Sequence, residues 1–409
     1  MKLDNTDKIE ARVKNYQTVI DSRRKLISTK TIRELTEKLK KVKEYSIENK
    51  EYLISLAKKN LIQNGVEVYE AKDALNARKY IVDQINGVDD LEYIVKSKSN
   101  TTREINLKES LKKIGMEVIE TDLGDRIIQI MNEEPSHPTG PAAHLTVKQI
   151  VKALSEYYHK DIKPRPEDIT KVVKKEILNY LFHAKIGITG ANAIASEGGI
   201  ILVHSEGNIS LVSLLPEKHI AIAGIDKIVP KIEDGITLGK VAAIYAIGTS
   251  LPTYIDVITG PSKTADIEKK IVHGMYGPSE VHLILLDNGR SDAMIKFPEL
   301  FRCIGCGACL TVCPISVHLG STFGRDGYLG GRGVIFSAVN SIEIAIKNGL
   351  FLCTFCGACE KVCPCEIPIP EYIHKLRIDA IKKGLGFEIH KKIANSIMKY
   401  SNPYLGFRC

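Results

Sequence analysis

Cys303-Ile-Gly-Cys306-Gly-Ala-Cys309-Leu-Thr-Val-Cys313-Pro314 is the stretch that decides the architecture, and it returns as Cys353-Thr-Phe-Cys356-Gly-Ala-Cys359-Glu-Lys-Val-Cys363-Pro364. Both copies read C-x₂-C-x₂-C-x₃-C-P, the spacing of bacterial two-cluster ferredoxins. Thiolates at i, i+3 and i+6 of a curled loop can each reach a different iron of one cubane. The Gly-Ala pair inside each loop lets the backbone come close to the sulfides. The fourth cysteine opens a helix that leads away, so it ligates the other cluster. The expected sets are therefore Cys303, Cys306, Cys309 and Cys363 for the first [4Fe–4S] cluster, and Cys353, Cys356, Cys359 and Cys313 for the second. Structural zinc prefers two separated C-x₂-C pairs around one tetrahedron, and a three-ligand loop ending in Cys-Pro does not follow that plan.

The connection from Pro314 to Cys353 is long for a compact ferredoxin. It holds a glycine-rich part, Gly324–Gly333, and then an apolar, helix-like part, Phe336–Asn348, which predicts a helical ferredoxin domain. Pro364 and Pro368 delay the next helix to about Glu371. Cys365 reads as a bystander thiol packed beside a cluster, and Cys409 as a loose terminal thiol.

Outward from this segment the chain changes character. Residues 1–60 are rich in Lys and Glu, with Leu35, Leu39 and Val42 at helical spacing, and predict one or two amphipathic helices. Residues 61–290 alternate short apolar runs (Val66–Tyr69, Tyr93–Val95, Glu117–Ile119) with helical stretches (Ala71–Ile85, Leu107–Ile114, Leu123–Met131), the pattern of an α/β domain with a largely parallel sheet. Ile200–His204 and Ile209–Leu214 read as paired strands turning at Glu206-Gly207-Asn208. His219–Ile225, Tyr254–Ile258 and Val281–Leu286 read as buried strands, and Leu238–Ile247 as a helix. The ferredoxin domain is expected over 291–385, with a C-terminal tail over 386–409.

Among 409 residues the formal net charge is +8. Two clusters, each about −2 with its thiolates, bring it near +4. No dense basic run with interleaved aromatics is present, which argues against a nucleic-acid partner. No long apolar run predicts a transmembrane segment, and the charged N-terminus is no secretory signal, so a cytoplasmic protein is expected, with peripheral docking at the inner face of the membrane left open. No G-x-G-x-x-G follows a strand, so no flavin or nicotinamide site is recognised, and the chain reads as an electron-transfer subunit whose catalytic partner lies elsewhere.

Several blocks add a resemblance. Glu120-Thr-Asp-Leu-Gly124, Pro135-Ser-His137, Gly187-Ile-Thr-Gly-Ala-Asn192, Ala195-Ser-Glu-Gly198, Glu206-Gly-Asn208 and His219-Ile-Ala221 carry it. Gly224-Ile-Asp-Lys-Ile-Val-Pro230 and Leu285-Leu-Asp-Asn-Gly-Arg-Ser291 complete the order ahead of the cysteines. The sequence resembles the lactate utilization protein B family, the iron–sulfur subunit of an L-lactate oxidation complex. The resemblance implies a central LUD-type domain similar to the NagB/ribose-5-phosphate isomerase (RpiA)/CoA-transferase group, followed by a helical two-cluster ferredoxin domain. It also implies two partners, a cysteine-rich redox subunit and a second LUD-domain subunit, and oxidation of L-lactate or a similar 2-hydroxy acid to pyruvate. A relay for another donor (glycolate, glycerol-3-phosphate or a thiol/disulfide couple) and a ligand-binding redox sensor are the alternatives.

Candidate substrate-binding residues are fewer. Lys96-Ser97-Lys98 follows a predicted strand, where α/β sheets place their crevice, and offers ammonium and hydroxyl groups to a carboxylate or phosphate. His137 lies in a proline-rich loop, Asn208 at a turn, and Glu197 after a glycine turn, the last a weak candidate nucleophile by analogy with CoA-transferase-like folds.

Overall fold

The computed structural model describes residues 4–325 and 327–403. Three helices open the chain, Thr6–Ile27, Lys30–Glu48 and Lys50–Gln63, where the heptad-like pattern predicted one or two. They are not a solvated appendage. Arg12, Arg23 and Lys43 are buried, and the Arg23 guanidinium donates to Tyr245 O (3.0 Å) and Thr311 Oγ1 (3.1 Å), so the first helix spans from the α/β domain to the cysteine-bearing domain.

A six-stranded sheet follows, in spatial order Val66–Ala71, Glu280–Leu286, Lys218–Gly224, Ile186–Gly190, Tyr93–Lys96 and Glu117–Glu120. Every pairing is parallel. Helices cover both faces, so the central strands are buried on both sides rather than alternating between buried and exposed residues. The two-residue period shows in where side chains go. Ile220, Ile222, Ile284 and Leu286 join the core under Ala74–Asn86 and Leu107–Lys113, while Ala221, Ala223, Leu283 and Leu285 face the opposite core.

That opposite core continues through a second, four-stranded sheet and the helix Ile232–Ile247 into Phe301, Leu319, Phe323 and Ile373 of the C-terminal domain. The two domains thus share one hydrophobic core. The C-terminal domain is helical: Ala308–Thr311, Pro314–Leu319, Gly330–Asn340, Ile342–Lys347, Ala358–Lys361 and Ile369–Lys382. A further helix, Glu388–Tyr400, occupies the expected tail; Cys409 lies outside the described residues. Among the described residues no helix is long and apolar enough to cross a membrane.

Two expectations need correction. Ile209–Leu214 is not a strand but part of the helix Asn208–Leu214, which starts at Gly207 with φ 87°. Its β-branched residues suggested a strand, but packing overrides propensity here: the helix lies directly on Ile186–Gly190, and a Cβ on Gly187 would stand 2.0 Å from Val212 O. Tyr254–Ile258 is a strand, but it forms the half-exposed edge of the four-stranded sheet rather than a buried element.

Candidate iron–sulfur site

The two cysteine loops follow the same backbone course. Gly305 (φ 77°) and Gly307 (φ 74°) take left-handed conformations in the first, and Phe355 (φ 57°) and Gly357 (φ 71°) take them at the matching places in the second. Phe355 holds there a conformation that only glycine adopts without strain. Each loop then turns into a short helix, Ala308–Thr311 or Ala358–Lys361, and each C-x₃-C-P exit carries the fourth cysteine away.

The exits cross. Cys363 lines one hollow with Cys303, Cys306 and Cys309, and Cys365 sits beside them. Cys313 lines the other with Cys353, Cys356 and Cys359, and Cys309 lies between the two. Among the described residues no three His, Cys, Asp or Glu side chains converge tightly enough for a single ion; the thiols ring hollows instead. Soft thiolates, of which each hollow has five cysteines to draw on, are the donor set that iron–sulfur clusters take. Burial pushes the Cys306 and Cys359 thiols up to about 12 and Cys363 up to about 11. A bound metal reverses that preference and keeps the coordinating thiols deprotonated. Cys365 is buried, and burial raises its thiol well above the ordinary range.

His137 supports the first loop. Its Nδ1 accepts from the Thr139 backbone N–H (3.2 Å), so the proton lies on Nε2, which donates to Gly307 O (3.1 Å). Burial lowers its pKa to about 4, keeping the ring neutral.

A crevice of about 260 Å³ opens at the C-terminal ends of the parallel strands, floored by Ile304, Gly305 and Cys306 of the first loop and walled by Lys98, Asp122, His204 and Asn208. This is where open parallel sheets place ligands. Lys98 Nζ is held by Asp122 Oδ2 (2.5 Å) and by Thr139 O (3.3 Å), and Asn208 Nδ2 donates to Thr121 Oγ1 (3.1 Å). Lys96 points elsewhere. It pairs with Glu120 (3.0 Å) and lines a separate cavity of about 490 Å³, while Ser97 is wholly buried between the two. The strand ends at Lys96, so Lys98, which regular extension would have kept on the same face, lies beyond it and enters the other cavity, and the expected Lys-Ser-Lys cradle is split. Glu197 is exposed and outside the crevice, where its carboxylate accepts from Ile232 N (2.8 Å) at the start of the helix Ile232–Ile247.

A buried ionic cluster joins the sheet to the cysteine domain, and sequence reasoning missed it. Arg290 donates to both oxygens of Glu104 (2.8 and 2.6 Å) and to Asp226 Oδ1 (2.7 Å), and Tyr328 OH donates to Glu104 Oε2 (2.8 Å). Lys227 reaches Cys303 O (3.1 Å), and Lys43 Nζ reaches Asp226 O (2.5 Å). The surrounding cations hold the Asp226 carboxyl well below its usual range despite burial, with Lys227 and Arg290 foremost. The only signal was that Asp226, Lys227 and Arg290 lie within quoted blocks; Glu104, far away in sequence, could not be paired with them.

Fold and site define a class: an α/β domain with a parallel sheet, joined to a helical [4Fe–4S] ferredoxin-type domain. The LUD domain family matches residues 54–286, and the 4Fe-4S dicluster domain family matches residues 299–367. The chain belongs to the lactate utilization protein B family. Lactate utilization protein B of Bacillus subtilis (strain 168) is 34% identical over 359 residues, covering 86% of this chain and 72% of that one. The namesake of Bacillus cereus (strain AH820) is 35% identical over 298 residues, covering 72% of this chain and 61% of its own length. A DUF162 family protein of Deinococcus radiodurans, known from its crystal structure, aligns with a TM-score of 0.32 at 15% identity, over 58% of this chain and 98% of that one.

Proposed function

We propose that this chain is the iron–sulfur electron-transfer subunit of a system that oxidises L-lactate, or a similar 2-hydroxy acid, to pyruvate. The observation that carries the reading is the crossing of Cys313 and Cys363 into each other's hollows, which completes two sets of four thiols. In this reading Cys303, Cys306, Cys309 and Cys363 hold one [4Fe–4S] cluster, and Cys353, Cys356, Cys359 and Cys313 hold a second. When bound, such clusters take up and release single electrons. The residues of this chain bind and orient: His137 fixes the first loop through Gly307, and the shared core fixes both loops against the sheet. The exposed Cys356 gives the second set a face toward solvent, where a redox partner can dock. The names of the relatives supply the lactate connection. Removal of two electrons from the acid needs an organic cofactor or active metal, and we assign it to partner subunits, one cysteine-rich and one a second LUD-domain chain.

The test is anaerobic purification, with iron and sulfide assays and EPR spectra during stepwise reduction. About eight irons and two interacting signals are expected; about four, or zinc, would overturn the two-cluster reading. Reduction by lactate in the presence of the partner subunits, and none by glycolate or glycerol-3-phosphate, would identify the donor.

A further inference from the structure

We propose that four cations packed around the first cysteine set, the buried Arg23, Lys43 and Arg332 and the half-buried Lys227, make it the more easily reduced of the two, so that an electron shared between the sets resides there. This rests on the two-cluster reading above. Arg332 lines the same hollow as Cys303, Cys306, Cys309 and Cys363. It is 9% exposed, lies with its guanidinium 4.5 Å from the Tyr328 ring centre, and has a buried Nε with no hydrogen-bond partner. Lys43 is fully buried, its Nζ donates to a carbonyl, Asp226 O, rather than to a carboxylate, and its charge is felt at Cys365 and Cys303. Arg23 likewise donates to neutral oxygens, Tyr245 O and Thr311 Oγ1, beside Cys306 and Cys309. Lys227, half-buried, donates to Cys303 O at 3.1 Å and also pairs with Asp226 at 3.3 Å, so it contributes least of the four. Asp226 and Glu104 offset part of this charge, but Arg290 already answers both.

Buried cations without anionic partners are costly unless something nearby carries negative charge. Thiolate-ligated iron at the first set would carry it. The second set has one comparable cation, Arg377, which donates to Cys353 O at 2.6 Å, and it lies beside the exposed Cys356. Potential follows net charge, hydrogen bonding and solvent exposure. Burial by itself disfavours added negative charge at the first set, so the proposal depends on the cations outweighing it. Moving one electron from the second set to the first oxidises one by a single equivalent and reduces the other by the same amount, with no proton required.

The test is an EPR-monitored redox titration of the full chain with dithionite. Two midpoints are expected. Arg332→Gln and Lys43→Met should each lower the higher one by at least tenfold in electron partition, about 59 mV for one electron. Arg332→Lys should retain it, and Arg377→Gln should move the lower one instead. If Arg332→Gln loses iron, Lys43→Met, on a separate helix, decides alone. Coincident wild-type midpoints, or removal of these charges acting on the lower midpoint or on neither, would overturn the proposal. A wild-type chain with one cluster's iron would instead refute the two-cluster reading itself.

Discussion

Replacing Arg290 by Met tests whether the buried ionic cluster holds the two domains together. Arg290 is 1% exposed and is the shared partner of Glu104 and Asp226, themselves 8% and 3% exposed. Removing one partner of a buried pair costs about 3–5 kcal/mol, because the other charge is left without an answer. Here the lower end applies. Lys227 remains 3.3 Å from Asp226, and Tyr328 and Asn288 still donate to Glu104 at 2.8 Å. With a urea m-value of about 3 kcal/mol/M, a loss of about 3 kcal/mol lowers the unfolding midpoint by about 1 M. The assay is urea unfolding followed by circular dichroism, beside the wild type under the same anaerobic conditions. Adding Glu104→Gln should recover part of the loss, since it removes a stranded charge. A midpoint shift below about 0.3 M, roughly 1 kcal/mol, would refute the reasoning and show that water or neighbouring cations already satisfy the carboxylates.

Cys363→Ala should remove one cluster's iron, whereas Cys365→Ala should leave iron content unchanged; equal losses by iron assay would contradict the crossed ligand sets. Gly307→Ala places a Cβ 2.6 Å from the His137 ring at φ 74°, so it should lower first-set occupancy, read as loss of one EPR signal. His219 is buried with a pKa lowered to about 3, chiefly by burial and then by His282. The folded chain therefore keeps this ring neutral, with a single proton, while the unfolded chain gains a second one below about pH 6.5. Stability is fully present above that pH and falls by about 1.4 kcal/mol per unit as pH drops toward the folded value. His219→Leu paired with Thr189→Val, which removes both ends of a 2.8 Å contact, should flatten the slope between pH 7 and 5 in unfolding experiments; an unchanged slope would count against it. Finally, L-lactate should bind the isolated chain weakly, and a Kd below about 100 μM by calorimetry would argue against assigning the acid to partners.

The cysteine loops were legible because their chemistry is local: three ligands in seven residues dictate a curled loop whatever surrounds it. The strands of the parallel sheet were legible for a similar reason, since burial on both faces leaves continuous apolar runs such as Leu283–Leu286. What failed depended on distant packing. Asn208–Leu214 is helical because Gly187 lets it lie on a strand, a fact held at another position. Lys96 and Lys98 looked equivalent, yet the strand stops at Lys96 and the chain beyond it carries Lys98 to a neighbouring cavity. Arg290 and Glu104 meet across 186 positions, and neither residue announces the other.

The charge of the crevice bears on the division of labour. Among the described residues Lys98 is the one lysine that lines it, and Asp122 already holds it. Glu206 adjoins them, its carboxyl pushed up first by burial and then by the Asp122 charge, as happens when two carboxylates share a confined site. A 2-hydroxy acid entering there would bring a further negative charge to a place with no spare lysine or arginine among the described residues, and the low dielectric of the crevice would magnify the repulsion. The free positive charge lies instead below the floor, in Arg23, Lys43 and Arg332 around the first cysteine set. On the reading proposed above, such an arrangement suits the chain to holding electrons rather than the acid. That separation is the reason to assign the chemistry of the acid to a partner and the storage of single electrons to this chain.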